Sequence, residues 1–249
     1  MAKEILPLIP PHRLYCEPFF GGGAIFFAKE PSEIEVVNDS NGELINFYKI
    51  VKTQFKDLED EIRLTLSSRK LHRKAYIIYQ HPDLFTDVAR AWSVWTLAAQ
   101  SYGSILGSSW NFGKNSNCSE KRLHNKRIAS VEEYAKRLEQ TQIECTDALK
   151  VIKSRDTKET FFYLDPPYVG SHLGHYDKYF PEDFEKLLTV LSQIKGKFLL
   201  SSYPNEMLKE FSKKNNWHTK KIEMPIDMAT NSKVKVKRKT EVLTANYKL

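Results

Sequence analysis

Short apolar runs, each closed by a glycine turn or an acid, alternate with amphipathic stretches at both ends of this chain. In the middle the alternation breaks. Residues 14–17 read as a strand, followed by Pro18-Phe19-Phe20-Gly21-Gly22-Gly23 and a helix start over residues 24–29. Residues 34–38 form a second apolar strand with Asp39 at its end, and Asn41 can cap a long amphipathic helix over about 43–66. Strand, glycine turn, helix, strand, acid, helix is an α/β opening. From about 67 to 140 the pattern changes. Helical periods cover 70–80 and 84–101, then come a segment of small and aromatic residues (102–113), a basic stretch to Arg127, and a helix near 131–139. The α/β pattern then resumes. Strands are expected at 142–145, 161–164, 198–201, 218–224 and 242–247, with helices at 181–194 and 205–214. The expected architecture is a sheet-based domain of residues 1–66 and 141–249, interrupted by a mainly helical insertion, 67–140.

Composition narrows the class. With 41% hydrophobic and 28% charged residues, the chain is too apolar for disorder and too charged for a membrane bundle. No apolar run reaches the ~18 residues of a membrane span, and the start carries no secretory pattern, so an intracellular location is expected. Cys16, Cys118 and Cys145 are odd in number and far apart, which argues against a disulfide framework and a cysteine-rich zinc site. His172 and His175 lack acidic or cysteine neighbours in a ligand pattern, so no metal is expected. The 38 basic residues exceed the 31 acidic ones by 7, which permits a polyanionic partner without requiring one.

Four features fall at carboxyl ends of expected strands, where open α/β sheets place ligands. The run from Glu17 to Gly23 allows a tight turn or close approach of a ligand to the backbone. It lacks the spacing of a phosphate loop. Asp39 can accept ribose hydroxyls or simply cap a helix. Asp147, with Ala148, follows the strand at 142–145, and a helix cap is its stronger reading. The fourth feature is Asp165-Pro166-Pro167-Tyr168, after a very apolar strand. Proline fixes φ and removes donors, and the residue before it is held extended. The Asp165 carboxylate and Pro166 carbonyl can then face outward as two rigid acceptors, matched to one –NH₂ group. Tyr168 offers a ring for stacking on a planar base.

Together these motifs resemble the Dam-type DNA adenine methyltransferases, which use S-adenosyl-L-methionine and release S-adenosyl-L-homocysteine. The resemblance rests on the Glu-Pro-Phe-x-Gly-Gly-Gly run, the Asn38-Asp39 pair and Asp165-Pro166-Pro167-Tyr168. It extends from Ile5-Leu6-Pro7-Leu8-Ile9-Pro10 to Glu241-Val242-Leu243. It implies a Rossmann-like methyltransferase sheet carrying an inserted target-recognition domain. It also implies residue roles. Glu17, Pro18, Phe19, Phe20, Gly21, Gly22 and Gly23 would shape the pocket for the methionine part of the cofactor. Asp39 would hold the ribose with Ser40 beside the adenine, and Asp147 and Ala148 would approach the adenine ring. Asp165, Pro166, Pro167 and Tyr168 would receive a flipped target adenine, Asp165 also lying against the cofactor. The family usually opens with a glycine-rich, lysine-bearing segment. Lys3 lies too close to Ile5-Leu6-Pro7 to match it, so either that start is shortened or another group serves the cofactor carboxylate.

Ten basic residues fall within 114–127 and 233–239, with Glu120 the only acid. Lys114, Lys121, Arg122, Lys126 and Arg127 could hold phosphates of double-stranded DNA, as could Lys237 and Arg238. Asn111 could read a base edge, and Trp110 or Phe112 could fill the hole left by a flipped base. The expected activity is methylation of adenine in duplex DNA. The alternatives are a catalytically silent DNA-binding homologue, or methylation of RNA or a protein amide.

Overall fold

The computed structural model describes residues 1–112, 121, 123–126, 131–168, 179–225 and 238–249. They form two compact units. The first takes residues 1–38, 146–168, 179–225 and 238–249. The second takes residues 39–112, 121, 123–126 and 131–145.

The first unit is built on strands β1 (Leu14–Glu17), β2 (Ile34–Asn38), β4 (Thr160–Leu164), β5 (Lys197–Ser202), β6 (His218–Pro225) and β7 (Arg238–Ala245). A further strand, β3 (Gln142–Glu144), lies in the second unit. Within the first unit the order is β2-β1-β4-β5-β7-β6. β1 pairs in parallel with β2 and β4, β4 with β5, while β7 runs antiparallel to β5 and β6. From β1 the chain goes to β2 on one side and later returns to β4 on the other. The carboxyl end of β1 is therefore a switch point, the place where a crevice opens above an α/β sheet.

Burial explains the apolar runs. All five residues of β4 are buried, as a central parallel strand covered on both faces requires. On one face Cys16, Val36, Phe162, Leu164, Phe198 and Leu200 pack with α7 (Ala148–Arg155) and α8 (Pro181–Leu191), through Val151, Ile152, Phe184, Leu187 and Leu188. On the other, Tyr15, Phe26 and Phe161 make tilted ring contacts. α1 (Ala2–Ile5) lies near the end of the sheet, where the Tyr247 hydroxyl donates to the Leu8 carbonyl at 2.7 Å.

Two helical expectations differ from what forms. Residues 24–29 make successive turns, with Phe27 N–H bonded to the Gly23 carbonyl and Lys29 N–H to that of Ile25. Phe20, Phe26 and Phe27 pack edge to face there, and ring packing sets the path in place of a regular helix. The long helix over 43–66 is two helices of the second unit, α2 (Gly42–Thr53) and α3 (Phe55–Leu64). Gln54 leaves helical space at φ −142°, ψ 42°, and the Thr53 hydroxyl donates back to the Lys49 carbonyl. Because Leu58 and Ile62 are still buried, the apolar period runs through the break unchanged.

The second unit adds α4 (Arg69–Gln80), α5 (Asp87–Gln100) and α6 (Val131–Leu138). α5 is its central helix, burying Trp92, Val94 and Leu97. Arg90 of α5 holds Glu43 through two bonds at 2.6 and 2.9 Å. Among the described residues no helix is long and apolar enough to cross a membrane.

A buried ion pair braces β1 and β2. Lys29 Nζ lies 2.7 Å from Glu35, each side chain 6% exposed, and 4.4 Å above the Tyr15 ring. Removing one partner strands the other charge. Glu35→Ala is expected to cost about 3–5 kcal/mol in urea unfolding, whereas Lys29→Met with Glu35→Leu should recover most of that loss.

Candidate active site

β1 ends at Glu17, 2% exposed. The Tyr15 hydroxyl donates to Glu17 Oε2 at 2.7 Å, and the Phe26 backbone N–H also donates to the carboxylate. Burial is the largest influence on this acid. It pushes the Glu17 carboxyl up to about 8, helped by the nearby Asp165 charge and opposed by the Tyr15 and Phe26 hydrogen bonds and by Lys29.

The glycine turn follows at once. Gly21 and Gly23 take φ of +49° and +62°, a region that penalises any Cβ. At Gly23 a Cβ would also come within 2.7–2.9 Å of the Phe20 and Phe27 rings, so that glycine is fixed by packing. At Gly21 and Gly22 a Cβ would meet nothing within 4 Å. Their backbone borders open space, which is the cradle a ligand approaching main chain requires.

Asn38, at the end of β2 and wholly buried, ties this turn to a second one. Its Nδ2 donates to the Pro18 carbonyl at 2.9 Å and to the Thr146 carbonyl at 3.1 Å, and its Oδ1 accepts from the Thr146 N–H at 2.9 Å. The Phe20 N–H bonds the Asn38 carbonyl at 2.9 Å. Asp147, next after Thr146, is exposed and caps α7 by accepting from the Lys150 N–H at 3.0 Å, and Ala148 is the first residue of that helix.

Asp165 stands exposed at the end of β4, beside β1, with Pro166 buried behind it. Tyr168 is fixed at both ends of its side chain. Its hydroxyl is 2.8 Å from Ser201 Oγ, and its ring meets Tyr203 edge to face at 4.4 Å. Burial, with Asp165 close by, holds the Tyr168 and Tyr163 phenols well above their usual range, so both stay protonated. The strand ends thus bring together the Glu17–Gly23 run, Asp147, Ala148 and the Asp165–Tyr168 run in one unit. Sequence reasoning missed Tyr15, Ser201 and Tyr203. Tyr15 had one available signal, its place two residues before Glu17 on the same side of a strand.

Asp39 and Ser40 open the second unit. The Asp39 carboxylate accepts from the Asn41 N–H at 2.9 Å, and Ser40 is exposed. In the same unit the Trp110 and Phe112 rings stack 5.5 Å apart, and the Asn111 N–H donates to the Gln100 carbonyl at 2.7 Å. Lys121 is exposed, while Lys126 donates to the Ala98 carbonyl at 2.9 Å. Lys114, Arg122, Arg127 and Lys237 lie outside the described residues, as do His172 and His175, and Arg238 is described only as the first residue of β7. Among the described residues no cluster of three His, Cys, Asp or Glu could hold a metal.

Residues 1–226 match a family model described as D12 class N6 adenine-specific DNA methyltransferase. The chain is 28% identical over 275 residues to the Type II methyltransferase M1.LlaDCHI of Lactococcus lactis subsp. cremoris, covering 98% of this chain and 92% of that protein. A weak structural likeness is to the solved structure of PH1948, a candidate RNA methyltransferase of Pyrococcus horikoshii. That match has a TM-score of 0.41 and 11% identity, over 98% of this chain and 81% of the other.

Two outcomes test this geometry. Glu17 keeps its proton in the fold at pH values where the unfolded chain has lost it. Its contribution is complete below about 4.5 and disappears as pH rises to about 8. Glu17→Gln should therefore flatten the decline of unfolding free energy across that window in chemical denaturation run from acid to alkaline pH. Asn38→Ala leaves the Pro18 and Thr146 backbone groups without their partner, and a loss of about 2–4 kcal/mol is expected in the same assay.

Proposed function

The chain belongs to the D12 class N6 adenine-specific DNA methyltransferases, and from that premise we propose that it transfers a methyl group from S-adenosyl-L-methionine to a flipped adenine, using Asp165, Pro166, Pro167 and Tyr168. The observation that carries this reading is the placement of Asp165. It is an exposed carboxylate at the end of a wholly buried strand, followed by two prolines and a clamped tyrosine, next to the strand that ends in Glu17.

The donor, when bound, supplies an electrophilic methyl on a sulfonium. The open backbone at Gly21 and Gly22, beside the buried acid of Glu17, suits a ligand with a cationic amino acid end. We assign that end to the Glu17–Gly23 run. Asp39 and Ser40 are assigned to the ribose and adenine from their position after β2, and Asp147 and Ala148 to the adenine ring. The target-recognition role is assigned to the helical block 67–140, with Trp110, Asn111, Phe112 and the basic residues that follow meeting the duplex.

At the target, the lone pair of the adenine amino group is delocalised into the ring, which makes that nitrogen a poor nucleophile. The Asp165 carboxylate and Pro166 carbonyl would accept hydrogen bonds from its two N–H groups, favour a pyramidal nitrogen and localise the lone pair for in-line attack on the methyl, whose bond to sulfur would break as the N–C bond forms, the surplus N–H proton passing to solvent. This is positioning and electrostatic stabilisation without a covalent enzyme intermediate. Pro166 and Pro167 keep the two acceptors rigid. The base leaves the duplex because its amino group is otherwise out of reach, and Tyr168, held by Ser201 and Tyr203, offers the stacking surface. The name of the lactococcal relative, a Type II methyltransferase, supports a role as the modification partner of a restriction enzyme, and on that reading the reaction belongs in a bacterial cytoplasm.

The test is transfer of a tritiated methyl from S-adenosyl-L-methionine to unmethylated duplex DNA. Wild type should incorporate label at adenine, and Asp165→Ala should lower kcat about a hundred- to a thousandfold. No incorporation by the wild-type chain, or equal rates for the two proteins, refutes the proposal.

A further inference from the structure

We propose that the amino-terminal half of α4 is a phosphate-binding face for duplex DNA, formed by Arg69, Lys70, Arg73 and Lys74 and organised by the Trp110–Phe112 stack. The proposal deepens the DNA reading above and rests on it.

Four cations fall within six residues of α4, and the helix contains no acid. At 100° per residue they share one arc of the surface, while His72, Ala75 and Ile78 form the buried arc opposite. All four are exposed. Among the described residues none of them has a carboxylate partner. In the same unit Lys49, Arg63, Arg90 and Lys136 sit in ion pairs, and Lys52 and Lys126 each donate to a backbone carbonyl. Nor does the placement serve the helix. Arg69 and Lys70 occupy the first turn, where the helix dipole disfavours positive charge.

Two of the four rest over aromatic rings. Lys74 Nζ lies 5.4 Å from the Trp92 ring centroid. The Arg69 guanidinium is held more fully, 5.1 Å from the Trp110 ring centroid and 5.6 Å from that of Phe112. The Trp110 and Phe112 rings are stacked at an interplanar angle of 19°. Gln100 anchors them, accepting from Trp110 Nε1 at 3.3 Å on its side chain and from the Asn111 N–H at 2.7 Å on its carbonyl. Gln100 is itself tied down, donating to the Leu66 carbonyl and accepting from the Ser68 N–H. A guanidinium held by ring contacts keeps its N–H donors for an anion, and loses less freedom on binding one.

The chemistry favours a duplex backbone. The pairs 69/70 and 73/74 are one helical turn apart, about 5.4 Å, which suits successive phosphates better than a single anion. Arg69 already covers the aromatic pair, which leaves less ring surface for stacking single-stranded bases. Such contacts fix the register of the protein on DNA without reading sequence.

The experiment measures binding of fluorescent duplexes of unrelated sequence to the full chain, over about 50 to 200 mM salt. Proteins compared are wild type, Arg69→Gln, the triple variant Lys70→Gln/Arg73→Gln/Lys74→Gln, and a charge-keeping control, Lys70→Arg/Arg73→Lys/Lys74→Arg. The triple variant should raise Kd about tenfold or more on every duplex. It should also reduce the salt slope by about 0.9 for each phosphate that it no longer neutralises. Arg69→Gln should shift both in the same direction, and the control should bind as wild type does. S-adenosyl-L-methionine affinity and the thermal midpoint should stay unchanged in all. Unchanged Kd and slope in the triple variant overturn the proposal, as does a loss that appears only when a single-stranded RNA probe replaces the duplexes. A wild-type chain that binds no duplex at all refutes the DNA reading itself, and the surface with it.

Discussion

The side-chain amide of Asn38 is the group on which the rest of the site depends. Parallel strands deliver their carboxyl ends to one edge of a sheet, but they do not fix the loops that leave that edge. Here one buried amide reaches both the loop after β1, at Pro18, and the turn at Thr146 that leads into α7. The chemistry selects the residue type. An aspartate would set a negative oxygen against two carbonyls, and leucine would leave a buried carbonyl at Pro18 and two part-buried groups at Thr146 without this partner. Asparagine has one end that donates twice and one that accepts. With both turns fixed to β2, the backbone around Gly21 and Gly22 has a defined position relative to Asp147.

Around that frame the chain keeps an electrostatic arrangement that costs stability. Glu17 is buried, sits near Asp165, and has its carboxyl raised to about 8. Tyr15 and Lys29 limit the cost, and both are shared. Tyr15 donates to Glu17 while lying under Lys29, and Lys29 is itself paired with Glu35. A buried acid that resists ionisation is a weak structural element and a strong potential partner for a cation, because bringing positive charge to it relieves the unfavourable state. On the proposed reading that cation is the amino acid end of the methyl donor.

Much of this is legible in the sequence, for physical reasons that differ from residue to residue. The strands can be read because parallel strands buried on both faces leave near-continuous apolar runs, as Phe161 to Leu164 do. The turn at Gly21 to Gly23 and the proline turn after Asp165 can be read because φ > 0 and fixed φ demand glycine and proline. Ser201 and Tyr203 cannot, since they meet Tyr168 across more than thirty residues of chain, a pairing that no local pattern encodes. The break at Gln54 is invisible for the opposite reason, because the apolar period continues in phase through it. Phe26 and Phe27 fit a helix start because helical period is local, while the ring packing that bends the chain is not.

Charge shows the same division between local and long-range information. The excess of basic residues is a sum, and sums carry no address. Runs such as 114–127 and 233–239 draw attention because their basic residues are close together in sequence. The α4 cations are interleaved with Leu71, His72 and Ala75, so linearly they read as an ordinary amphipathic helix. Only the fold separates the buried arc from the exposed one, and only the fold brings Trp110 and Phe112 under Arg69 from forty residues away. A duplex is a surface of regularly spaced charge, and a protein meets it with a surface. What matters for binding is the arc on which cations stand and whether acids already neutralise them. By that measure α4 is better placed than its sequence suggests: its cations share one arc and have no carboxylate partner among the described residues.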